Sequence, residues 1–141
     1  MTDNAFVDTK ILVYARDPTH ADKHRIASQL INTLWANRQG RISVQVLNEY
    51  LVTVTQKLRP GMTFQEAWED VQALMAWEPL SMDGSLLELG RIVHLEHGVS
   101  WWDALILAAA HKANCTLLYS EDLAAGRVYG GVRVVNPFLS H

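Results

Sequence analysis

Seven consecutive apolar positions, Ala104 to Ala110, leave a helix drawn through them without a wet face, so this segment is predicted to be a buried central helix. Elsewhere the apolar residues keep to one side. After Thr19, the positions Ile26, Leu30, Ile31, Leu34 and Trp35 recur at helical spacing and stop between Asn37 and Gly40. Val46, Leu47, Tyr50, Leu51, Val54 and Leu58 carry a second stripe up to Pro60-Gly61, and Thr63-x-x-Glu66 opens a third helix, through Met75, with a capping box. A fourth begins at Met82-Asp83 and ends at Gly98. Shorter runs read as strands: Ala5-Phe6-Val7, Arg41-Ile42-Ser43, Pro79-Leu80, Thr116 to Tyr119, and Val132 to Val135 after the turn at Gly130-Gly131. A short helix is predicted from Asp8 to a stop at Asp17-Pro18. Strands alternating with helices predict an α/β domain with a mainly parallel sheet of four to five strands, covered on both faces.

Length and composition narrow this picture. A chain of 141 residues, 49% hydrophobic, suits one domain over residues 1–141 with a sizeable core. Twelve Lys and Arg against 15 Asp and Glu give a formal charge of −3, which excludes the general basic excess of a protein that coats nucleic acid. No signal peptide is legible, and no apolar run approaches the roughly twenty residues that span a bilayer. The expectation is a cytoplasmic protein without membrane contact. The single cysteine, Cys115, has no partner for a disulfide or for zinc and reads as a small core residue.

Candidate chemistry lies in the acids. Asp103 is the only charged residue between Gly98 and Ala110, at the start of the buried helix, where an unanswered carboxylate is costly. Ser100 and Asp103 form S-x-x-D, so a capping box is one answer to its charge. A divalent cation is another, provided that other carboxylates arrive at the same place. Ligands of an open parallel sheet gather outside the carboxyl ends of its strands. Asp8 follows the first strand, Asp122 the fourth, and Glu49 stands near the start of the helix after the second, all at the rim where the central helix begins. Taken singly, Asp8 is a helix cap, Glu49 a solvated flank residue and Asp122 a turn acid. Taken together, four carboxylates on one rim repel each other unless a cation sits among them, and an oxygen-only ligand set favours magnesium or manganese over zinc.

These residues carry a resemblance. Asp8-Thr9 after a strand, Glu49 in SVQVLNEYLVT, Asp103 in SWWDALILAAA and Asp122 in LLYSEDL look like the four acidic positions of PIN-domain proteins, and most resemble VapC-type toxins. The likeness runs through the closing VVNPF, with Lys10 standing where the family commonly has Asn or Ser. It implies a PIN-like three-layer domain and metal-dependent cleavage of RNA by the ribonuclease half of a toxin–antitoxin pair. A small cognate antitoxin and a second copy of the chain, in a homodimer, are the partners implied. By this analogy Asp8 and Asp103 bind the magnesium or manganese ion most directly, while Glu49 and Asp122 act through water or complete a second ion's shell. Thr9 and Ser120 add hydroxyl contacts.

Other features have plainer readings. His20 with His24, and His94 with His97, share helical faces but lack the third ligand and catalytic Glu of a zinc pattern. Trp101 and Trp102 open a buried helix and are expected in the core, with one of them lining the site; Trp35, Trp68 and Trp77 are expected in core packing. Lys10, Lys57, Arg59, Arg127 and Arg133 are scattered and read as solvated rather than as phosphate contacts. Two alternatives to the nuclease are a PIN-fold RNA-binding domain without catalysis and a phosphoacceptor receiver module. The receiver wants adjacent acids after the first strand and a Lys after the last, where this chain has Val7-Asp8-Thr9 and Asn136-Pro137.

Overall fold

Strand β1 (Ala5–Val7) lies between two parallel neighbours, and its Phe6 and Val7 side chains are fully buried, as both-face coverage requires. The computed structural model describes residues 3–139. With β2 (Gly40–Arg41), β3 (Leu117–Tyr119), β4 (Val128–Tyr129) and β5 (Val132–Val135), β1 builds a five-stranded sheet in the order β2-β1-β3-β5-β4. All pairings are parallel except that of β4 with β5. The predicted strand at Pro79-Leu80 shrinks to one parallel bridge between Ser43 and Leu80. Pro79 has no N–H with which to extend the ladder. Strand β4 was not expected from the sequence; it is the first arm of a hairpin whose turn holds Gly130 and Gly131 at φ 54° and 88°.

Six α-helices surround the sheet among the described residues, giving the three-layer α/β arrangement: α1 (Thr9–Arg16), α2 (Ala21–Ala36), α3 (Val44–Val52), α4 (Phe64–Leu74), α5 (Gly84–His97) and α6 (Trp101–Lys112). Most begin where a side-chain oxygen accepts a backbone N–H, at Asp8, Ser43, Thr63, Asp83 and Ser100, and the Thr63–Glu66 capping box is complete. Helix α2 is the exception. Thr19 bonds Asp17 instead, and His20 stands at the cap without a side-chain bond. The stripe predicted to run to Pro60 does so by a change of winding: α3 passes at Thr53 into a π-helical segment, Thr53–Lys57.

Helix α6 is buried at every position from Ala104 to Ala110, as its sequence requires. It packs on α5, β3 and β5, with Leu105 over Gly90, where an added Cβ would lie 2.9 Å from Leu105 Cδ2. Burying Leu105, Ile106 and Leu107 contributes about 1.5–3 kcal/mol for each, which fixes where the helix, and with it Asp103, begins. On the other flank, Arg16 of α1 grips Asp70 of α4 through Nε and Nη2 at 2.8 and 2.6 Å, and the Tyr50 hydroxyl of α3 donates to the same carboxylate at 2.5 Å. Partial burial pushes Asp70 upward, but the guanidinium and the phenol prevail and hold it below the usual carboxylate range. Gly40 is demanded by packing: a Cβ there would fall 2.5 Å from the Trp77 ring. No helix among the described residues is long and apolar enough to cross a membrane.

Candidate functional site

The register of the sheet brings the first acid to its place. Val7 pairs with Tyr119, and the Asp8 N–H continues the ladder to the Tyr119 carbonyl at 3.0 Å, so Asp8 and Ser120 leave adjacent strand ends side by side. Asp8 is 8% exposed. Its Oδ1 accepts the Thr9 N–H at 2.7 Å, which makes it the cap of α1, and its Oδ2 accepts the Ser120 hydroxyl at 2.9 Å. Buried Ser120 in turn accepts the N–H groups of Asp122 and Leu123, so one hydroxyl ties the loop after β3 to Asp8. Among the described residues no cation pairs with Asp8. Burial, reinforced by the nearby charges of Glu49 and Asp122, lifts its carboxyl from 3.8 to about 6 against the two hydrogen bonds that favour the anion. Capping alone therefore leaves the charge of Asp8 poorly compensated.

Asp8, Glu49 and Asp122 line one cavity of about 370 Å³ together with Thr9, Lys10 and Lys57. Glu49, on the exposed side of α3, is held at both oxygens: Thr9 Oγ1 donates to Oε2 at 3.3 Å and Gln45 Nε2 to Oε1 at 2.9 Å. Asp122 is half-exposed, and Lys10 Nζ stands 2.8 Å from its Oδ1. Lys10 thus reaches the acid 112 positions away rather than the Asp8 carboxylate two positions before it. The adjacent Glu121 belongs to a different network, accepting the Tyr14 hydroxyl at 2.9 Å and pairing with Lys23. Of the scattered basic residues, Lys10 and Lys57 are brought to the acids, whereas Arg127 lies over the Tyr129 ring. His20 also lines the cavity. Neither histidine pair forms a ligand set, since one ring of each is engaged elsewhere: Nδ1 of His24 bonds the Tyr14 carbonyl, and Nδ1 of His94 bonds that of Val99.

Asp103, in the first turn of α6, is partly buried. Its backbone N–H donates to Ser100 Oγ at 3.2 Å, but its carboxylate returns no bond to Ser100 and makes no hydrogen bond or ion pair with another described residue. The capping box suggested by S-x-x-D is thus only half made, and Asp103 does not line the cavity of the other three acids. Among the described residues no group of three or more His, Cys, Asp or Glu side chains stands ready to hold a metal ion. The donor chemistry nevertheless suits a hard divalent cation: carboxylate and hydroxyl oxygens, a buried Asp8 without a counter-charge, and a free carboxylate at Asp103. Thr9 and Gln45 hold Glu49, and Lys10 holds Asp122, which leaves these two better suited to acting through water than as direct ligands.

A second cavity, of about 590 Å³, opens beside Glu49 and is lined by Gln45, Asn48, Met82 and Trp102. Sequence reasoning passed over the first three of these. Trp101 and Trp102 depart from the core placement expected for them, being 37% and 63% exposed, and Trp102 is the one that reaches the site. The buried run of α6 begins only at Ala104, which leaves the two tryptophans of its first turn in solvent. Trp77 is buried as expected, whereas Trp35 and Trp68 are half-exposed, Trp35 tilted against Trp77 and Trp68 stacked on Phe64. Gln45 is 5% exposed, yet its Oε1 has no hydrogen-bond partner among the described residues. An unmet buried acceptor costs about 1–3 kcal/mol.

The family model of the PIN domain matches residues 5–131. Among solved structures, a toxin–antitoxin complex from Klebsiella pneumoniae contains a chain 20% identical to this one, with 96% of this chain and 98% of that one covered and a TM-score of 0.68. Mycobacterium tuberculosis VapC20, described as a sarcin-ricin loop cleaving toxin, is 22% identical over 84% of this chain and 90% of its own, with a TM-score of 0.65. FitAB bound to an IR36 DNA fragment is 17% identical, covering 97% and 98%, with a TM-score of 0.69. A search of curated protein sequences finds no match.

Proposed function

The chain belongs to the PIN-domain family, and from that premise we propose that it is a metal-dependent endoribonuclease, the toxin of a toxin–antitoxin pair. The observation that carries the reading is Asp8: a buried carboxylate at the carboxyl end of β1, without a counter-charge, in a cavity shared with Glu49 and Asp122. Asp8 and Asp103 would hold a magnesium ion, for which manganese could substitute. When bound, the ion supplies Lewis acidity toward a scissile phosphodiester and toward water. The chain's own residues do the rest. Ser120 and the Thr9 N–H fix the Asp8 carboxylate, Thr9 Oγ1 and Gln45 fix that of Glu49, and Glu49 and Asp122 orient water and accept its proton. Lys10 and Lys57 offer ammonium groups to the backbone of the RNA.

The toxin–antitoxin assembly of one structural relative and the toxin description of another support a small antitoxin as partner and RNA as substrate. The protein acts in the cytoplasm as a homodimer of single PIN domains. One observation favours a second reading, a PIN-fold RNA-binding domain without turnover: the Lys10 ammonium already occupies Asp122. Incubating the pure protein with single-stranded RNA in magnesium, then in chelator, decides between them. The nuclease reading expects cleavage that stops with chelation and is lost in Asp103→Asn at unchanged fold. Full activity in that variant, or binding without cleavage in the wild type, contradicts it.

A further inference from the structure

We propose that the cavity beside Glu49, walled by Gln45, Met82 and Trp102, is a nucleobase subsite of the RNA substrate, in which an unpaired base stacks on Trp102 and donates an N–H to Gln45 Oε1. This rests on the ribonuclease reading of the neighbouring acids. Gln45 donates Nε2–H to Glu49 at 2.9 Å, and because a carboxylate only accepts, the amide must turn its nitrogen that way. Its oxygen is then left as the one buried side-chain N or O atom without a partner among the described residues. That oxygen is shut off from solvent in the unliganded chain, so a ligand that satisfies it must bring a donor and shift the Gln45 amide toward the cavity. Every RNA base carries such a donor on its Watson–Crick edge, and unstacked bases are read there.

The rest of the wall selects a base over a phosphate. Trp102 is 63% exposed, an indole face left open to solvent beside the site, and Met82 adds a polarisable surface. Among the described residues no cation lines this cavity, and Glu49 would repel an anion. Lys10 and Lys57 stand instead in the adjoining cavity with Asp8 and Asp122. Glu49 lines both, so a chain with its base beside Trp102 would carry a phosphodiester past the acids. On this arrangement Gln45 and Trp102 determine base preference, while the acids and lysines handle the backbone.

The test is equilibrium binding with metal chelated, so that no cleavage intervenes. A labelled single-stranded RNA oligomer is compared with versions in which one base at a time is removed. The wild type is expected to lose affinity roughly tenfold at one abasic position. In Trp102→Ala the intact and abasic oligomers should bind alike, Trp102→Phe should keep the difference, and Gln45→Met should bind adenine and N6,N6-dimethyladenine at that position equally. Magnesium-dependent RNA cleavage by the wild type is followed in parallel. Equal binding of intact and abasic RNA at every position, or a penalty that persists in Trp102→Ala, overturns the subsite. With cleavage present, that result leaves the nuclease reading standing; with cleavage absent, both fall.

Discussion

Asp8 carries opposing demands: it caps α1 and stays buried, yet among the described residues it has no ion-pair partner. Its carboxyl rises from 3.8 to about 6, so between those values the folded chain binds more protons than the unfolded one and stability falls as pH increases. A displacement of that size corresponds to about 3 kcal/mol. Asp8→Asn removes the charge but cannot accept from Ser120, whose Oγ already receives two N–H groups, at a cost of about 1 kcal/mol. The first effect is larger. Urea denaturation should therefore find Asp8→Asn about 2 kcal/mol more stable than the wild type at pH 8 and about 0.5 kcal/mol less stable at pH 4. A difference that does not change with pH would mean that Asp8 is compensated by something other than a bound cation.

At the level of elements, α6 carries Asp103 in a capped first turn ahead of a buried body. Since Ser100 makes the cap bond alone, Ser100→Ala should cost about 1 kcal/mol in urea denaturation. Asp103→Asn loses only its interaction with the helix dipole and should stay within about 0.5 kcal/mol of the wild type. Comparable losses in the two variants would mean that the box is complete in solution and that Asp103 is a structural residue. The helices were legible in the sequence because their stripes, caps and stops each spoke for the same boundaries, as at Thr63, Gly98 and Ser100. Strand β4 was not, because two residues set no period and its place depends on the hairpin at Gly130-Gly131. Nor was the exposure of Trp102, which stands in the first turn of α6 ahead of the buried run that starts at Ala104.

For the molecule as a whole, four separated segments supply the acids, and the sheet order decides which of them meet. Parallel β1 and β3 bring Asp8 and Asp122 to one cavity, and α3 adds Glu49, whereas Asp103, which the strand-end argument set on the same rim, does not line it. What sequence order left out was the pairing inside that rim. Lys10 takes Asp122 across 112 positions, Gln45 and Thr9 hold Glu49, and the oxygen that Gln45 leaves unpaired marks a second cavity. Long-range side-chain pairs of this kind have no periodicity to announce them. The net charge of −3 places any attraction for RNA in local features such as Lys10 and Lys57 rather than in the overall field. The most direct test of the account is an anomalous difference map from crystals soaked in manganese. A peak at metal–oxygen distance, about 2.1 Å, from the carboxylates of both Asp8 and Asp103 is expected; no peak there, or one that fails to touch both residues, would contradict joint ligation.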